Sequence, residues 1–229
     1  MKAIVQTPTN NIKESLSFYT KLHFQIVSEE QPCIVSDGKA VIEINPSRFA
    51  RAGAKLYRDD WSETVAKLEQ LTKVIKIDDG YLLSDPSNTW IYLIEGEGLQ
   101  RLDLPEENSG TLGKFAGMSL EMIDVEKGKE IWEVLGFSKT MGDLEQGWIV
   151  LANDEGFGVS LMKPNMCPHL CFNPSMTYFN GGQNLPVIQK IRDAGIPIAE
   201  EITQFNKEGI VDNVIIRDPG GYGFYVFND

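Results

Sequence analysis

The chain has 229 residues, enough for one or two packed domains, and its formal net charge is -12. A protein held to nucleic acid by phosphate contacts needs a basic face, so this charge argues against nucleic acid and against an anionic membrane surface as partners. Three cysteines make no disulfide framework. The first residues lack a signal-peptide core, and no apolar run reaches the ~20 residues of a membrane span. We therefore expect a cytoplasmic protein.

Apolar runs separated by capping and turn residues predict two successive βαβββ units in the first half of the chain. The first helix follows Asn10 or Asn11, and Glu14 completes a capping box with Asn11. The second predicted helix spans Trp61–Leu71 after the cap residue Asp60, with Glu63 as its box partner. The predicted strands are residues 2–7, Phe24–Ser28, Cys33–Ser36, Ala40–Asn45, Ala54–Arg58, Lys73–Ile77, Tyr81–Ser84 and Thr89–Ile94.

The segment from Gly96 to about Lys114 is rich in Gly, Glu, Asn and Ser, which is typical of a linker. Two more βαβββ units follow, with helices after Asp124 and at Asn184–Ala194. A loop with three prolines, residues 163–174, separates these units. The predicted strands are Ala116–Ile123, Phe137–Thr140, Gly147–Leu151, Phe157–Met162, Met176–Asn180, a strand near Pro197–Ile202, and the two strands of the closing hairpin.

The two halves repeat each other. The closing hairpin turns at Asp218-Pro219, and the same pattern occurs at Asp85-Pro86 in the first half. The first helix of each half also matches, with Phe18-Tyr19 aligned to Ile131-Trp132. Strand Val41–Pro46 aligns with Val159–Pro164 in the same order. Matches that keep their order along the chain predict a tandem duplication.

This order of units, with Ser15-Leu-Ser-Phe-Tyr on the first helix and Asp-Pro at the hairpins, resembles the vicinal oxygen chelate superfamily. That superfamily includes glyoxalase I, bleomycin-resistance proteins, fosfomycin-resistance enzymes and extradiol dioxygenases. The resemblance implies an α+β fold in which four βαβββ units form two glyoxalase-like domains, each with a cupped mixed sheet around a cavity. We expect the first domain at residues 1–97, the linker at 98–113 and the second domain at 114–229. Which units pair around each cavity stays open.

In the metalloenzymes of this superfamily, metal ligands lie on the first strand of a pair of units, on the strand that ends the first unit, at the start of the next unit, and on the last strand. The resemblance places these positions at Ile4, Glu43, near Gly53 and Tyr92 in the first half, and at Gly117, Leu161, Met176 and Tyr225 in the second. Transition-metal sites need three or four N, O or S donors. Since Glu43 alone is a plausible ligand, we expect no metal and no cofactor.

Polar and aromatic residues on the predicted inner strand faces are the candidates for binding a small-molecule ligand. Two interpretations stay open for Glu43, a cavity carboxylate that accepts hydrogen bonds or acts as a general base, or the partner of a nearby Lys or Arg. The aromatic residues, together with Phe227, either line a ligand cavity or fill it as core. The candidate set is Gln6, Glu43, Trp90, Tyr92, Ser119, Glu121 and Tyr225.

The proline-rich loop contains Cys167, His169 and Cys171. Their spacing is not one of the strong zinc patterns, which place two Cys or His pairs at separate points of the chain. We expect an apolar loop with two buried thiols and a satisfied histidine, and any further role of these residues stays open.

Three functions are compatible with the sequence. The first is a metal-independent small-molecule binding protein similar to the bleomycin-resistance branch, which would not be an enzyme. The second is a metalloenzyme of the superfamily (a lyase, isomerase or dioxygenase) with Glu43 and His169 as ligands, if units from different halves share a barrel. The third is an interaction module whose cavity is filled. The ligand and the existence of catalysis are not determined by the sequence.

The tandem halves predict the state of assembly. Single-domain relatives cover their sheet edges and apolar faces by dimerising, and here one half can cover the other within the same chain. We therefore expect a monomer of 25.6 kDa that acts as a pseudo-dimer, with the halves joined by a large apolar interface. Light scattering at micromolar concentration should give that mass. A stable species of twice the mass would contradict the prediction.

Overall fold

A computed structural model describes residues 1–96 and 102–229. The first half alternates strands and helices in the order predicted. Its elements are β1 (Lys2–Pro8), α1 (Ile12–Lys21), β2 (Gln25–Ser28), β3 (Cys33–Ser36), β4 (Val41–Asn45), β5 (Gly53–Arg58), α2 (Ser62–Leu68), β6 (Ile75–Ile77), β7 (Gly80–Ser84) and β8 (Trp90–Glu95).

The second half repeats this order and adds one 3₁₀ turn, Leu144–Gln146, which the sequence did not predict. Its elements are β9 (Lys114–Glu121), α3 (Val125–Val134), β10 (Ser138–Asp143), β11 (Trp148–Ala152), β12 (Gly158–Met162), β13 (Ser175–Phe179), α4 (Asn184–Asp193), β14 (Ile198–Ile202), β15 (Asn213–Arg217) and β16 (Gly223–Phe227). The predicted α+β class and the four βαβββ units are confirmed.

Each half forms its own eight-stranded mixed sheet. The strand order is β2-β3-β4-β1-β5-β8-β7-β6 in the first and β10-β11-β12-β9-β13-β16-β15-β14 in the second. Consecutive units therefore pair within a half. In each sheet the first strands of the two units meet antiparallel at the centre, β1 with β5 and β9 with β13. The question of which units pair is thereby answered for the described chain.

Local capping explains most helix starts. Asn11 accepts a hydrogen bond from the Glu14 amide at the start of α1, and Asp124 accepts one from the Lys127 amide at the start of α3. The predicted helix Trp61–Leu71 was too long. The helix spans Ser62–Leu68, and its N-cap residue is Trp61. Asp60 lies one position earlier, where its carboxylate accepts the Ser62 amide. The predicted N-cap at Asp60 and its capping box with Glu63 therefore do not form.

The helices cover one face of each sheet. Alternate strand residues such as Val5, Ile42 and Leu56 are fully buried in one hydrophobic cluster with Tyr19 of α1 and Leu68 of α2. The same cluster contains the corresponding strand and helix residues of the second half. The other face of each sheet, here called its inner face, carries the alternating polar residues of the same strands. None of the helices in residues 1–96 and 102–229 is long and apolar enough to cross a membrane.

Two buried aspartates join the halves reciprocally. The Asp85 carboxylate, in the first Asp-Pro hairpin, accepts a hydrogen bond from the Trp132 indole of α3 at 3.1 Å. The Asp218 carboxylate, in the second hairpin, accepts one from the Tyr19 hydroxyl of α1 at 2.7 Å. Tyr19 and Trp132 occupy matching positions of the repeat, so the duplicated sequence makes the same contact twice, each time across the junction.

A third aspartate, Asp37, fixes the turn between β3 and β4 against both the second half and the linker. One carboxylate oxygen accepts the amides of Lys39 and Ala40, and the other accepts the Tyr178 hydroxyl at 3.0 Å. Its carbonyl accepts the Ser109 amide of the linker. The predicted linker begins outside the described residues, but from residue 102 onward it lies against the first half.

These three carboxyls make the stability of the protein dependent on pH. Burial raises the pKa of Asp37, Asp85 and Asp218 above the ordinary value of 3.8. Above pH 3.8 these three carboxyls consequently bind more protons in the folded protein than in the unfolded chain, so their contribution makes the free energy of unfolding fall as the pH rises through the raised pKa values. Urea unfolding between about pH 4.5 and pH 8 measures this dependence.

A matched pair of variants separates this effect from general charge repulsion. Asp85→Asn removes one buried titrating group and should flatten the dependence, because the amide cannot ionise. Asp59→Asn removes the same charge from an exposed position and should leave the slope almost unchanged. A free energy of unfolding that increases steadily with pH in the wild type would contradict the prediction.

Candidate functional site

The strand registers define equivalent positions on the two inner faces. Ile4 lies opposite Lys55, which lies beside Tyr92. In the second sheet Gly117 lies opposite Thr177, which lies beside Tyr225. Lys55 therefore corresponds to Thr177, and Tyr92 to Tyr225.

Two of the predicted ligand positions were wrong by one residue. Glu43 pairs with Gln6, and Ser160 pairs with the equivalent Ser119, so Glu43 corresponds to Ser160 and not to Leu161. By the same comparison Gly53 corresponds to Ser175 and not to Met176. Leu161 and Met176 both lie in the helix-side core. A shift of one residue along a strand moves a side chain to the opposite face.

The inner face of the first sheet carries a hydrogen-bonded group that we call the inner cluster: Gln6, Glu43, Asn45, Lys55 and Tyr92. The Lys55 ammonium lies 2.7 Å and 3.0 Å from the two carboxylate oxygens of Glu43. The Asn45 amide donates to Glu43 at 2.9 Å and to the Gln6 side-chain oxygen at 3.0 Å. Gln6 in turn donates to the Arg51 carbonyl.

The ion pair between Glu43 and Lys55 is largely buried. The Glu43 side chain is 5% exposed and the Lys55 side chain 13%. At this depth the charges are poorly screened by water, so each depends on the other for stabilisation. The field of Glu43 reaches its neighbours, because burial first and then the Glu43 charge raise the pKa of Tyr57.

Two aromatic side chains border the inner cluster. Lys55 Nζ lies 5.8 Å from the centre of the Tyr92 ring, within the range of a cation–π contact. The Tyr92 hydroxyl accepts the Arg51 amide at 3.2 Å, and burial raises the pKa of Tyr92. Trp90, two residues earlier on β8, is half-buried. Four predicted site residues, Gln6, Glu43, Trp90 and Tyr92, are thus brought to one face.

The inner face of the second sheet has hydroxyls where the first has charges. Ser119 Oγ and Thr177 Oγ1 lie 2.7 Å apart, and Ser175 donates to the Ser119 carbonyl. Tyr225 is 2% exposed and packs with Ile202 and Ile215 in a small cluster of their own. The predicted residues Ser119 and Tyr225 therefore share a face, but in the other sheet from Glu43 and Tyr92.

The proline-rich loop covers this second inner face. The His169 ring lies 5.2 Å from the Tyr225 ring and 5.5 Å from the Phe227 ring, between ring centres. The Tyr225 hydroxyl donates to Cys171 Sγ and accepts the Phe172 amide. Of the four aromatic residues that we considered, Tyr225 and Phe227 thus contribute to a filled inner face, whereas Trp90 and Tyr92 border the inner cluster of the other sheet.

The predicted residue Glu121 anchors this loop at the end of β9. Its carboxylate accepts the Asn165 amide at 3.3 Å, and its backbone exchanges two hydrogen bonds with the Asn173 side chain. These contacts account for Glu121 as a residue that positions the loop.

Two expectations about the loop were wrong. Neither thiol is fully buried, since Cys167 is half-buried and Cys171 is exposed. The histidine is not fully satisfied either, because His169 Nε2 is buried without a hydrogen-bond partner among the described residues. His169 also lies in the loop over the second sheet and Glu43 on the first sheet, so the two predicted ligands are not brought to one inner face. Burial raises the pKa of the Cys167 thiol.

The residues at the superfamily's metal positions do not fit a transition metal. In the first sheet the only carboxylate there, Glu43, is neutralised by Lys55. In the second sheet a side chain at Gly117 would be forced against the Gly158 carbonyl, with its Cβ 2.2 Å from that oxygen. No group of three His, Cys, Asp or Glu side chains among residues 1–96 and 102–229 could hold a metal ion.

Sequence reasoning missed Lys55 and Asn45 as members of the inner cluster. Lys55 stands between Ala54 and Leu56, which are both fully buried. The sequence did contain a signal for Lys55. It is a lysine inside a strand, and its side chain lies on the face opposite to those of its two buried apolar neighbours. Asn45 shares the strand and the face of Glu43, but its role as a donor to that carboxylate could not be deduced without the fold.

Comparison with solved structures supports the assignment of the fold. A homoprotocatechuate 2,3-dioxygenase from Arthrobacter globiformis has a TM-score of 0.60 at 12% identity, covering 97% of this chain and 78% of that one. A Mn(II)-bound glyoxalase from Novosphingobium aromaticivorans has a TM-score of 0.57 at 14% identity, covering 97% and 79%. A catechol 2,3-dioxygenase has a TM-score of 0.54 at 14% identity, covering 97% and 85%.

The likeness is confined to three-dimensional structure. No family model matches the chain, and no curated protein matches it. The structural neighbours confirm the predicted resemblance: the chain has the fold of the vicinal oxygen chelate superfamily, with two similar halves in tandem.

The buried ion pair leads to a prediction about stability. Lys55→Met should cost about 3 kcal/mol or more, because it leaves the Glu43 carboxylate buried without its cation. The double change Lys55→Met with Glu43→Gln should cost less than the sum of the two single changes, since it removes both charges together. Urea unfolding of the four proteins of this cycle measures the coupling. Costs that simply add would show that the pair is not coupled.

Proposed function

We propose that the protein binds a small organic molecule on the inner face of its first half, without a metal ion. The observation that carries this proposal is the Lys55–Glu43 ion pair at the position where metalloenzymes of this superfamily hold their metal. It replaces a metal centre by a fixed pair of opposite charges with the amide groups of Gln6 and Asn45 beside it. Such a pair can orient a polar ligand but cannot supply Lewis-acid chemistry.

The difference in burial between equivalent residues supports this location. Tyr92 is half-buried, whereas its counterpart Tyr225 is 2% exposed under the proline-rich loop. Trp90 is half-buried as well. A ligand that reaches the first inner face would therefore meet aromatic surface that is already exposed. On the second inner face the protein's own loop would have to move first.

The chemistry of the inner cluster points to a polar ligand with a flat apolar part. Two of the three ammonium hydrogens of Lys55 are directed at Glu43, so a third can donate to a carbonyl, carboxylate or hydroxyl oxygen of the ligand. The faces of Trp90 and Tyr92 suit an aromatic or unsaturated group. We also propose that the protein is cytoplasmic and that it is a monomer.

A thermal-shift screen of several hundred metabolites and antibiotics tests the proposal. A ligand present at about 100 times its Kd should stabilise the protein by about 2.7 kcal/mol, which corresponds to a rise in Tm of roughly 5–10 °C. The rise should be lost or strongly reduced in Lys55→Met. It should persist in Thr177→Val, which changes the equivalent position of the second sheet. Each rise is measured from the variant's own Tm.

Two outcomes would count against this site. A screen without any saturable ligand would remove the support for a binding function. A ligand whose effect is lost in Thr177→Val and kept in Lys55→Met would place binding on the second inner face.

The structural neighbours favour the enzyme alternative. They are named as dioxygenases and as a Mn(II)-bound glyoxalase, so by fold the metalloenzyme hypothesis is better supported than metal-independent binding. The side chains at the ligand positions favour the opposite conclusion. Elemental analysis of protein purified without chelator decides between the two. A transition metal at close to one equivalent would support the metalloenzyme alternative, and less than about a tenth of an equivalent, with no binding when metal is added, would exclude it.

A further inference from the structure

A cleft that contains no residue of the inner cluster opens where the two halves meet. Its volume is about 220 Å³, smaller than the roughly 300–1,000 Å³ of pockets for drug-sized ligands. Ile4 and Val41 of the first sheet face Phe115 and Phe157 of the second half across it, and Leu104 of the linker adds a further wall. The cleft therefore has an apolar interior made by both halves.

Lysines stand at this cleft in a protein that is strongly acidic overall. Lys2 and Lys39 both line it, and Glu155 is the one carboxylate among its described lining residues. Glu155 already lies 3.4 Å from the amino-terminal ammonium. No carboxylate among the described residues lies within ion-pair distance of Lys39. The cleft thus offers an unneutralised ammonium beside apolar walls.

The position of Lys39 is fixed by the structure around it. Its amide is held by the Asp37 carboxylate, which also accepts the Tyr178 hydroxyl of the second half. Its ammonium reaches across the junction toward Gly156, where a Cβ atom would lie 3.7 Å from Nζ. The turn that carries Lys39 is therefore tied to both halves, and ordering it on binding requires little further loss of backbone freedom.

We propose that this junction cleft is a binding site for a compact organic anion, one carboxylate group on an aromatic or branched apolar body. The carboxylate would pair with Lys39 at the rim, and the apolar body would contact Phe115, Phe157 and Leu104. A charged group at the edge of an apolar cleft keeps part of its hydration while the body is buried, so the desolvation cost of the anion stays small. The lining of this site contains no residue of the inner cluster.

The probes 2-naphthoate and its neutral analogue 2-naphthamide test the site by calorimetric titration of the full chain. Naphthoate should bind with a Kd below 1 mM, about fivefold more tightly than naphthamide, as expected for one partly exposed ion pair. Lys39→Gln should remove this preference by weakening naphthoate alone, and Lys39→Arg should restore it. Lys190→Gln, an equal loss of charge at an exposed position of α4, should leave both affinities unchanged.

A second variant tests the location. Leu104 is 42% exposed, so Leu104→Trp should be accommodated without unfolding while its larger side chain occupies the cleft, and both probes should lose binding. Absence of naphthoate binding below 1 mM, equal affinities for the two probes, or affinities unaffected by Leu104→Trp would each overturn the proposal. Binding that is lost in Lys55→Met but kept in Leu104→Trp would place the probe on the first inner face, which contradicts the junction site and supports the proposed function.

Discussion

The arrangement of the two halves depends on buried carboxylates that take their hydrogen bonds from across the junction. Asp85 and Asp218 are each closed into an Asp-Pro hairpin by backbone amides of their own half. One oxygen of each then accepts from an aromatic side chain of the other half. A buried carboxylate that loses a donor pays a large desolvation penalty, so the halves cannot rotate or separate without breaking both contacts.

The two inner faces have equivalent strand positions but carry different side chains. At equivalent positions the first sheet has Lys55 and Tyr92, and the second has Thr177 and Tyr225. The segment that follows the fourth strand also differs. In the first half it is short and contributes Arg51, whose backbone amide meets the Tyr92 hydroxyl. In the second half it is the longer proline-rich loop, which lies on Tyr225. The hypothesis of a filled cavity therefore describes the second face well.

Local sequence signals predicted the elements because their causes are local. Asn11 and Asp124 cap their helices with side chains that reach amides three residues away, and Asp218-Pro219 determines a turn through its own backbone. The repeat then predicted the tandem halves, and the resemblance to the vicinal oxygen chelate superfamily predicted the α+β fold class. The predictions that failed concerned strand register and side-chain neighbours, which are determined by residues distant in sequence. The placement of Leu161 on the inner face required the register of β12 against β9, and a one-residue error reversed its direction. Lys55 could be recognised as a site residue only from the pairing of β5 with β1, because this pairing brings Lys55 next to Glu43.

The inner cluster explains how the buried carboxylate of Glu43 is stabilised by side chains of this chain. A carboxylate that is 5% exposed needs a compensating positive charge, and in this sheet Lys55 supplies it from the strand next to β1. The ammonium brings one charge instead of the two of a divalent metal ion and no open coordination position, so it can neutralise Glu43 and donate hydrogen bonds but cannot act as a Lewis acid. The Asn45 side-chain amide then donates to the Gln6 side-chain oxygen and to Glu43 Oε1. The fold thus preserves the location of the site, while the side chains determine which kind of chemistry is available there.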